Sequence, residues 1–365
     1  MKLLYVVNRI NSTSGVERIL SLKTDYFIEK FNYEVGIIVI NEKDTDITPF
    51  FVYNKNISIF DITKKNKTIL GKLKSINTII NEFQPTHVII CIDDVSALYF
   101  PYFLNKKYLY IYERHNSKMV NFVKTSNSIL DKMKDFYKKI LLDYGGKRFD
   151  QVVVLSKDHS REWSYLKNIN IINNPLIFLP DRAAKLENKK VLAVGRHARQ
   201  KGFDLLLKSW VKVSEKHKDW TLEIYGKKTN SQNMLKLAEA YNIQDSVNFH
   251  DPVTNIADVY LESSIYALSS RFEGFPLVLL ECMACGVPAV AFKCPCSINE
   301  LINHNEDGIH VEVGNTDEFA ESLMYLIENP EVRVSMGKKA KENIQRLSPE
   351  IIYEKWRNLF ENTMS

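Results

Sequence analysis

The 365-residue sequence contains no uninterrupted apolar run of about 18 residues, the length that a membrane-spanning helix requires. The apolar start Leu3–Val7 is too short for a secretory signal, and it ends at Asn8 and Arg9 without a small-residue cleavage site. It is typical instead of a first buried β-strand. We therefore expect a cytoplasmic protein, and the apolar share of 45% is ordinary for a globular one.

Cysteine is scarce as well, with five residues in the whole chain. Cys282 and Cys285 form a CxxC pair, and Cys294 and Cys296 follow, but no histidine lies at ligand spacing nearby. The pattern favours buried, reduced thiols over a zinc site, which agrees with a cytoplasmic location. We therefore expect no zinc site at these cysteines.

The sequence also lacks GxGxxG, the glycine pattern of dinucleotide-binding enzymes. Gly15 nevertheless follows a predicted strand over 2–7 and a polar loop, and it begins a predicted helix that runs to about Phe31. A loop of this kind is where α/β sheets bind ligands. The absence disfavours a dinucleotide-dependent oxidoreductase, whereas another ligand near Gly15 remains compatible with the pattern.

The chain is too long for one ordinary hydrophobic core, so we expect two domains. Strands and helices alternate through both halves, which predicts an α/β protein with two doubly wound, parallel sheets. We assign the first domain to residues 1–174 and a proline-containing linker to 175–189. The second domain is assigned to 190–345 and a C-terminal helix to 346–365.

Charge is distributed unevenly along the chain. Residues 1–174 carry 26 basic and 18 acidic side chains, and within 102–148 the counts are 11 and 4. A basic surface of this kind suits an anionic lipid surface or an anionic acceptor. Aromatic residues are not interleaved there as a stacking platform for nucleic acid requires, so nucleic acid is not an expected partner.

The segment 128–144 has the pattern of an amphipathic helix, an apolar stripe flanked by lysines. Either the helix packs on the sheet or it rests on an anionic membrane, and the two interpretations can hold for different parts of it. We favour packing on the sheet for the apolar stripe and membrane contact for the lysines. The stripe consists of Ile129, Met133, Phe136, Tyr137, Ile140, Leu141 and Tyr144, and the lysines are Lys132, Lys134, Lys138 and Lys139.

Two carboxylates, Glu273 and Glu281, stand eight positions apart in the run 270–281. An apolar strand precedes the run and Gly286 follows it, which predicts a strand, a tight turn and a helix with Pro276 in its first turn. Glu273 would then lie beside free backbone N–H groups at the helix start. Either the two carboxylates bind one ligand, or Glu273 merely caps the helix and Glu281 is solvated.

A glycine-containing loop over 195–202 lies between a predicted strand and a predicted helix. Arg196 offers a fork of donors for phosphate oxygens and Lys201 offers a point charge, so the two could hold a diphosphate without a metal. The amides of 274–277 form a second anion-binding helix start. Cations for a diphosphate and carboxylates for hydroxyl groups together indicate a nucleotide-sugar ligand.

His115 follows a further predicted strand. At the carboxyl end of a parallel strand, its side chain would face the crevice where such sheets bind ligands. The alternative interpretation is a histidine on the protein surface.

These motifs together resemble the large retaining glycosyltransferase family 4. The resemblance is carried by GR-x4-KG at 195–202 and by EGFPLVLLE-x-MA-x-G-x-P at 273–288. It is strongest over 190–312 and extends to the first half of the chain. The most similar members are bacterial transferases that assemble capsule, lipopolysaccharide or lipid-linked glycans. The family implies the GT-B fold, in which two Rossmann-like domains face each other across a cleft and the last helix crosses back to the first domain.

The resemblance also implies roles for individual residues. Arg196, Lys201 and Gly15 are expected at the donor diphosphate. Glu273 and His115 are expected to act at the donor sugar, and Glu281 is expected on the ribose hydroxyls. The remaining expected positions are Gly274, Phe275, Pro276 and Leu277 along the donor sugar and ribose, with Gly226 and Val253 flanking the nucleobase.

The implied activity is a transfer of a hexose or N-acetylhexosamine from a nucleotide-diphosphate sugar with retention of the anomeric configuration, and UDP is the expected nucleotide. Neither a metal ion nor another cofactor is expected, since the nucleotide-sugar is a substrate. The implied acceptor is a glycan, for instance one linked to undecaprenyl diphosphate, at the cytoplasmic face of the inner membrane. A non-catalytic glycan-binding subunit and a sugar-nucleotide epimerase or phosphorylase are the alternatives. Asp44 and Asp46 form a DxD, a metal–diphosphate pattern of another transferase fold, but without a partner motif we interpret them as a solvated turn.

Overall fold

The computed structural model describes residues 1–40, 48–63, 68–118, 129–227, 231–295 and 297–364. The chain divides into two compact units. The first comprises Met1–Pro175 together with Glu350–Ser365, and the second comprises Leu176–Pro349. Of the expected linker 175–189, Pro175 is therefore grouped with the first unit and 176–189 with the second. The DxD at Asp44 and Asp46 lies outside the described residues.

The first unit is built on a seven-stranded parallel sheet with the order β3-β2-β1-β4-β5-β6-β7. Its central strands are buried on both faces, which is why they are nearly continuous apolar runs. The strands are β1 (Lys2–Val7), β2 (Glu34–Val39), β3 (Ser58–Asp61), β4 (His87–Cys91), β5 (Leu109–Glu113), β6 (Gln151–Val154) and β7 (Ile169–Ile171), and the helices are α1 (Gly15–Phe31), α2 (Ile69–Phe83), α3 (Phe100–Phe103), α4 (Ile129–Tyr144) and α5 (Lys157–Arg161).

The second unit is built on a six-stranded parallel sheet with the order β10-β9-β8-β11-β12-β13. The strands are β8 (Lys190–Val194), β9 (Thr221–Tyr225), β10 (Val247–His250), β11 (Ile265–Leu268), β12 (Ala289–Phe292) and β13 (Gly308–Val311). The helices are α6 (Phe203–Lys216), α7 (Ser231–Ala240), α8 (Ile256–Leu261), α9 (Leu277–Ala284), α10 (Ile298–Leu301), α11 (Thr316–Glu328) and α12 (Pro330–Ile344).

The last helix, α13 (Pro349–Met364), belongs to the first unit, as the sequence predicted. Its Phe360 is fully buried, and its ring lies 5.8 Å from that of Phe27 and 5.1 Å from that of His87. Trp356, one turn earlier, covers the ammonium of Lys23 at 4.3 Å from the ring centroid. The C-terminal helix therefore completes the core beside α1 and β4.

The orientation of α4 contradicts the prediction. Five residues of its apolar stripe are exposed, by 40% at Ile140 up to 67% at Phe136. The helix instead contacts the core through Leu142, which is buried, and through the partly buried Leu141. The pattern was amphipathic as expected, but most of the apolar stripe faces away from the sheet.

The described cysteines agree with the expectation of reduced thiols. Cys91, Cys282, Cys285 and Cys294 are all buried thiols outside any disulfide, whereas Cys296 lies beyond the described residues. Burial raises the pKa of the Cys282 thiol well above its ordinary value, so this thiol stays protonated. Within the described part of the chain, no helix has the length and apolar character needed to cross a membrane.

The packing of α13 leads to a first prediction. Phe360→Ala removes a fully buried ring and leaves a cavity among aromatic side chains, so we expect a loss of about 3–5 kcal/mol in the free energy of unfolding. Urea denaturation measures this loss. Ile351→Ala in the same helix is the matched control, because Ile351 is 46% exposed and should cost less than about 1 kcal/mol. Equal losses for the two variants would contradict the packing of α13 on the first unit.

Candidate functional site

A buried ion pair joins two loops of the second unit. Strands β8 and β11 are parallel neighbours, so the loops that follow them begin at the same edge of the sheet. Lys201 from the first loop donates to Glu273 Oε1 of the second at 2.7 Å, and the Ser270 hydroxyl donates to the same oxygen at 2.6 Å. The side chain of Glu273 is 8% exposed and that of Lys201 is 16% exposed. The structure thus brings together a cation and a carboxylate 72 positions apart.

Glycine at position 202 is required for this approach. Gly202 has φ of +64°, and a Cβ atom there would lie 2.0 Å from the carbonyl oxygen of Ser269. The Ser269 hydroxyl donates to the carbonyl oxygen of Lys201 at 2.9 Å, which fixes the two backbones side by side. The ion pair therefore forms on two loops whose backbones are in direct contact.

A second, more exposed ion pair joins the loop after β11 to the start of α6. Both terminal nitrogens of Arg271 donate to the carboxylate of Asp204, at 2.8 and 2.6 Å. The hydrogen bonds from Arg271 hold the pKa of Asp204 below its ordinary value despite partial burial. A cavity of about 310 Å³ adjoins this pair and is also lined by Arg199 and Met234. Sequence reasoning missed Asp204 and Arg271, since nothing in the spacing links them.

Glu281 lies on the buried side of α9 and accepts a hydrogen bond from the Tyr260 hydroxyl at 2.9 Å. Burial and the neighbouring carboxylate raise the pKa of Tyr260 well above its ordinary value, so the hydroxyl remains a donor. The interpretation of Glu281 as a solvated residue is therefore wrong. Likewise, Glu273 is not merely a helix cap, because Lys201 and Ser270 hold its carboxylate.

The start of α9 differs by one position from the prediction. Pro276 is the residue before the helix, with φ of −72° and ψ of 99°, and Leu277 is the first helical residue. Gly274, Phe275 and Pro276 are buried in the turn, and Leu277 is partly buried. All side chains of α9 from Leu279 to Ala284, including Glu281, are buried, so packing in the core fixes the position of this helix.

The other predicted donor residues of the second unit lie on neighbouring loops. Gly226 follows β9, and a Cβ atom there would lie 1.8 Å from the carbonyl oxygen of Gly195, so the loops after β8 and β9 are also in direct contact. Arg196 is exposed on the first of these loops. Val253, beyond β10, is 43% exposed. Of these residues, Arg196 alone carries a charge, and it extends toward solvent.

In the first unit, His115 belongs to a buried cluster of charged side chains. Lys23 donates to both carboxylate oxygens of Glu113, at 2.5 and 2.6 Å, and Nε2 of His115 lies 3.2 Å from Glu113 Oε1. His115 is 6% exposed, so the alternative of a surface histidine is wrong. Burial alone would lower the pKa of His115, but Cys91 and Glu113 outweigh it and raise the pKa well above the ordinary value.

The loop that carries His115 is held by a buried arginine. The guanidinium of Arg114 donates to the carbonyl oxygens of Asp93 and Asn116 at 2.7 and 2.9 Å and to the Tyr112 hydroxyl at 2.9 Å. The Asp93 carboxylate in turn accepts from the backbone N–H groups of His115 and Asn116. The backbone around His115 is therefore fixed by several charge-assisted hydrogen bonds.

Cys91, Glu113 and His115 place one potential ligand atom each within 4.8 Å of one another, a grouping that a metal ion could use. However, the ammonium of Lys23 occupies both oxygens of Glu113. A cation would have to displace this ammonium from a buried position. The donor set therefore does not fit a metal ion. In the described part of the chain, this is the one grouping of the kind, and it does not include the CxxC pair.

Gly15 is the first residue of α1, as predicted. Ser14 precedes the helix with an extended backbone, and its hydroxyl donates to the carboxylate of Glu17. Arg9 lies 3.6 Å from the same carboxylate. A charged side chain of each sign thus adjoins the loop that leads into α1.

Comparison with known proteins identifies the class to which this site belongs. The profile of the family "Glycosyl transferases group 1" matches residues 178–343. An uncharacterized glycosyltransferase of Haemophilus influenzae is 32% identical over 367 residues, which covers 98% of this chain and 99% of the relative. The chain therefore belongs to the group 1 glycosyltransferases, and its activity is that of a glycosyltransferase.

Two further relatives have more specific names. The amylovoran biosynthesis glycosyltransferase AmsD of Erwinia amylovora is 28% identical, covering 98% of this chain and 99% of the relative. An N-acetylgalactosaminyltransferase of Campylobacter jejuni, named for a diphospho-undecaprenol acceptor, is 28% identical over 156 residues, which covers 43% of this chain and 42% of the relative. TarM of Staphylococcus aureus, solved with UDP, has a TM-score of 0.80 at 15% identity, covering 98% of this chain and 99% of TarM. The likeness to TarM confirms the GT-B fold.

The buried Lys23–Glu113 pair leads to a second prediction. Glu113→Gln leaves the Lys23 ammonium buried without a counter-charge, so we expect a loss of about 3–5 kcal/mol in the free energy of unfolding at neutral pH. Lys23 is the main partner that outweighs burial and lowers the pKa of Glu113 from 4.5 to about 2. Because the folded-state pKa is depressed, the stabilisation is present above pH 4.5 and is lost as the pH falls toward 2.

Urea denaturation of the wild type and of Glu113→Gln at pH 7 and at pH 3 measures this dependence. The difference between the two proteins should shrink at pH 3. The matched control is Glu34→Gln, because Glu34 pairs with Lys2 on the surface and should contribute less than about 1 kcal/mol. A difference that is the same at both pH values would contradict the pairing of Lys23 with an ionised Glu113.

Proposed function

We propose that the protein transfers a hexose or N-acetylhexosamine from a UDP-sugar to a glycan acceptor, without a metal ion and with retention of the anomeric configuration. The observation that carries this proposal is the Lys201–Glu273 pair, which lies at the start of α9 with Glu281 buried on the same helix. The second unit thus holds one cation that could bind phosphate, Lys201, and two carboxylates that could bind hydroxyl groups, Glu273 and Glu281. This combination suits a nucleotide-sugar.

The diphosphate is proposed to bind between Arg196 and Lys201. Without ligand, the charge of Lys201 is balanced by Glu273 at 2.7 Å. A diphosphate would compete with Glu273 for this ammonium, and the exposed guanidinium of Arg196 would add a bidentate contact. Glu273 would then be free to accept hydrogen bonds from the hydroxyl groups of the donor sugar, while Glu281 accepts from the ribose.

The chemical step breaks the bond between the sugar and the diphosphate. Negative charge develops on the departing phosphate oxygen, and Lys201, Arg196 and the amides before α9 would stabilise it. The acceptor hydroxyl attacks on the same face from which the diphosphate departs and gives its proton to the leaving phosphate oxygen. Two protein cations thus supply the charge that a metal ion supplies elsewhere, and we propose that transfer also depends on His115.

The acceptor is proposed to be a lipid-linked glycan of bacterial surface polysaccharide synthesis. AmsD is named for amylovoran biosynthesis, and the Campylobacter relative is named for a diphospho-undecaprenol acceptor. The basic excess within 102–148 suits an acceptor of this kind, because its diphosphate and the surrounding lipid headgroups are anionic. We therefore place the enzyme on the cytoplasmic face of the inner membrane.

A third prediction tests the donor site. Among UDP-, GDP- and ADP-sugars, we expect a UDP-sugar to raise the melting temperature of the wild type and to be hydrolysed slowly. Lys201→Ala should weaken UDP binding about 10- to 100-fold, since a hydrogen bond to a charged group contributes about 1.5–3 kcal/mol. Glu273→Gln should reduce turnover yet leave UDP binding unchanged or tighter, because it removes the competitor of the diphosphate for Lys201.

Calorimetry with UDP and a hydrolysis assay separate these two effects. Lys189→Ala is the matched control, because Lys189 pairs with Asp219 on the surface of the same unit. The anomeric configuration of the transfer product, read by NMR, tests retention. The enzyme proposal fails if no nucleotide-sugar raises the melting temperature and Glu273→Gln leaves turnover unchanged.

A further inference from the structure

Helix α4 carries a continuous apolar surface that the first unit does not cover. It consists of Met133, Phe136, Tyr137, Ile140 and Tyr144, which we call the α4 stripe, and these side chains are 40–67% exposed. Scattered exposed apolar residues are common on proteins, but five large ones on one helix face form a patch. A patch of this kind indicates an interaction surface.

The direction of the α4 stripe follows from helix geometry. At about 100° per residue, its members fall within an arc of about 100°, and buried Leu142 lies roughly opposite the centre of that arc. The stripe therefore points away from the protein core. With its apolar face exposed and lysines beside that face, α4 resembles an amphipathic helix that lies in a membrane interface.

Cations border the α4 stripe on both sides. Lys132 and Lys139 lie along one edge of the arc and Lys134 along the other, and all three are exposed. Their ammonium groups are at the level where the apolar face ends, so they could reach anionic groups beside it. The arrangement is apolar in the centre and positive at the rim.

A hydrogen bond joins α4 to the turn before α3, a short helix that also carries exposed aromatic residues. The Tyr99 hydroxyl donates to that of Tyr137 at 2.7 Å, which ties α4 to the turn before α3. On α3, Tyr102 and Phe103 are 49% and 52% exposed, and the guanidinium of Arg148 lies 5.1 Å from the ring of Tyr102. Aromatic rings beside cations are typical of the interfacial layer of a membrane.

We propose that the α4 stripe inserts into the interface of an anionic phospholipid bilayer, with Lys132, Lys134 and Lys139 on the headgroups. A bilayer fits better than a protein partner because three of the four charged side chains at the rim are lysines, and the fourth, Asp143, is paired with Lys118. Within 102–148, 11 basic residues occur against 4 acidic ones. The apolar side chains, which were expected to pack inside the protein, are the inserting part. The inference deepens the proposed membrane location and does not depend on the identity of the donor.

Vesicle flotation of the full-length protein tests the inference. We expect flotation with phosphatidylglycerol–phosphatidylethanolamine vesicles and little with phosphatidylcholine. Met133→Ser/Phe136→Ser should reduce the bound fraction about tenfold or more, because it removes two inserting side chains. Lys132→Glu/Lys139→Glu should abolish the preference for anionic vesicles. The control is Val334→Ser, an apolar residue of the second unit that is 52% exposed.

Insertion is separated from electrostatic adsorption by fluorescence. Phe136→Trp should shift its emission to shorter wavelengths on anionic vesicles, whereas Val334→Trp should not. UDP binding of every variant in solution should equal that of the wild type, so a failed donor proposal and a failed membrane proposal give different results. Wild-type flotation by Met133→Ser/Phe136→Ser would overturn the inference. So would a wild-type dimer that this double variant dissociates, since the stripe would then be an interface between two copies.

Discussion

The contact between the loops after β8 and β11 in the second unit depends on one largely buried ion pair, Lys201 with Glu273. Removing an ammonium and a carboxylate from water is costly, and a pair of this kind persists only with good geometry and further hydrogen bonds. Gly202 allows the two backbones to touch, and Ser270 supplies a second donor to the carboxylate. Because one oxygen of Glu273 receives both donors, the carboxylate is fixed before any ligand arrives. Preorganisation of this kind lowers the reorganisation needed for binding or catalysis.

The first unit also contains an ion pair between a lysine and a glutamate, and this pair is more deeply buried. Lys23 and Glu113 are each about 2% exposed at the side chain, and the ring of Trp356 covers the ammonium. Through Trp356, the C-terminal helix therefore contacts the Lys23–Glu113 pair, and Glu113 in turn lies against His115. A pair so deeply buried is weak evidence of a purely stabilising role, since an apolar pair of similar volume often serves stability equally well. The position of the pair beside His115 agrees better with a role in orienting the imidazole ring than with a role in stability alone.

The sequence allowed most of the fold to be predicted, because apolar runs and helical periodicity report burial directly. A strand with little burial lacks this signal, as in β3, where none of the four residues is fully buried. The motif residues Lys201, Glu273 and Glu281 were identified, but their partners were not. Pairs such as Arg271 with Asp204 join positions 67 residues apart, and such contacts arise from tertiary structure that local pattern does not encode.

The error over α4 has a physical cause with a wider consequence. Periodicity shows that a helix has an apolar face, but it does not say which medium covers that face. In the first unit, the charged side chains of Lys23, Glu113 and Arg114 are buried, while Phe136 and Met133 are exposed. Folded proteins usually bury apolar side chains and expose charged ones. Both arrangements depart from this rule, and each contributes less to stability than buried apolar and exposed charged side chains would. Departures from local rules of this kind concentrate where a protein acts on something else. These two departures are therefore the places in the first unit where we propose a role in transfer, for the charges around His115, and in membrane contact, for the exposed apolar face of α4.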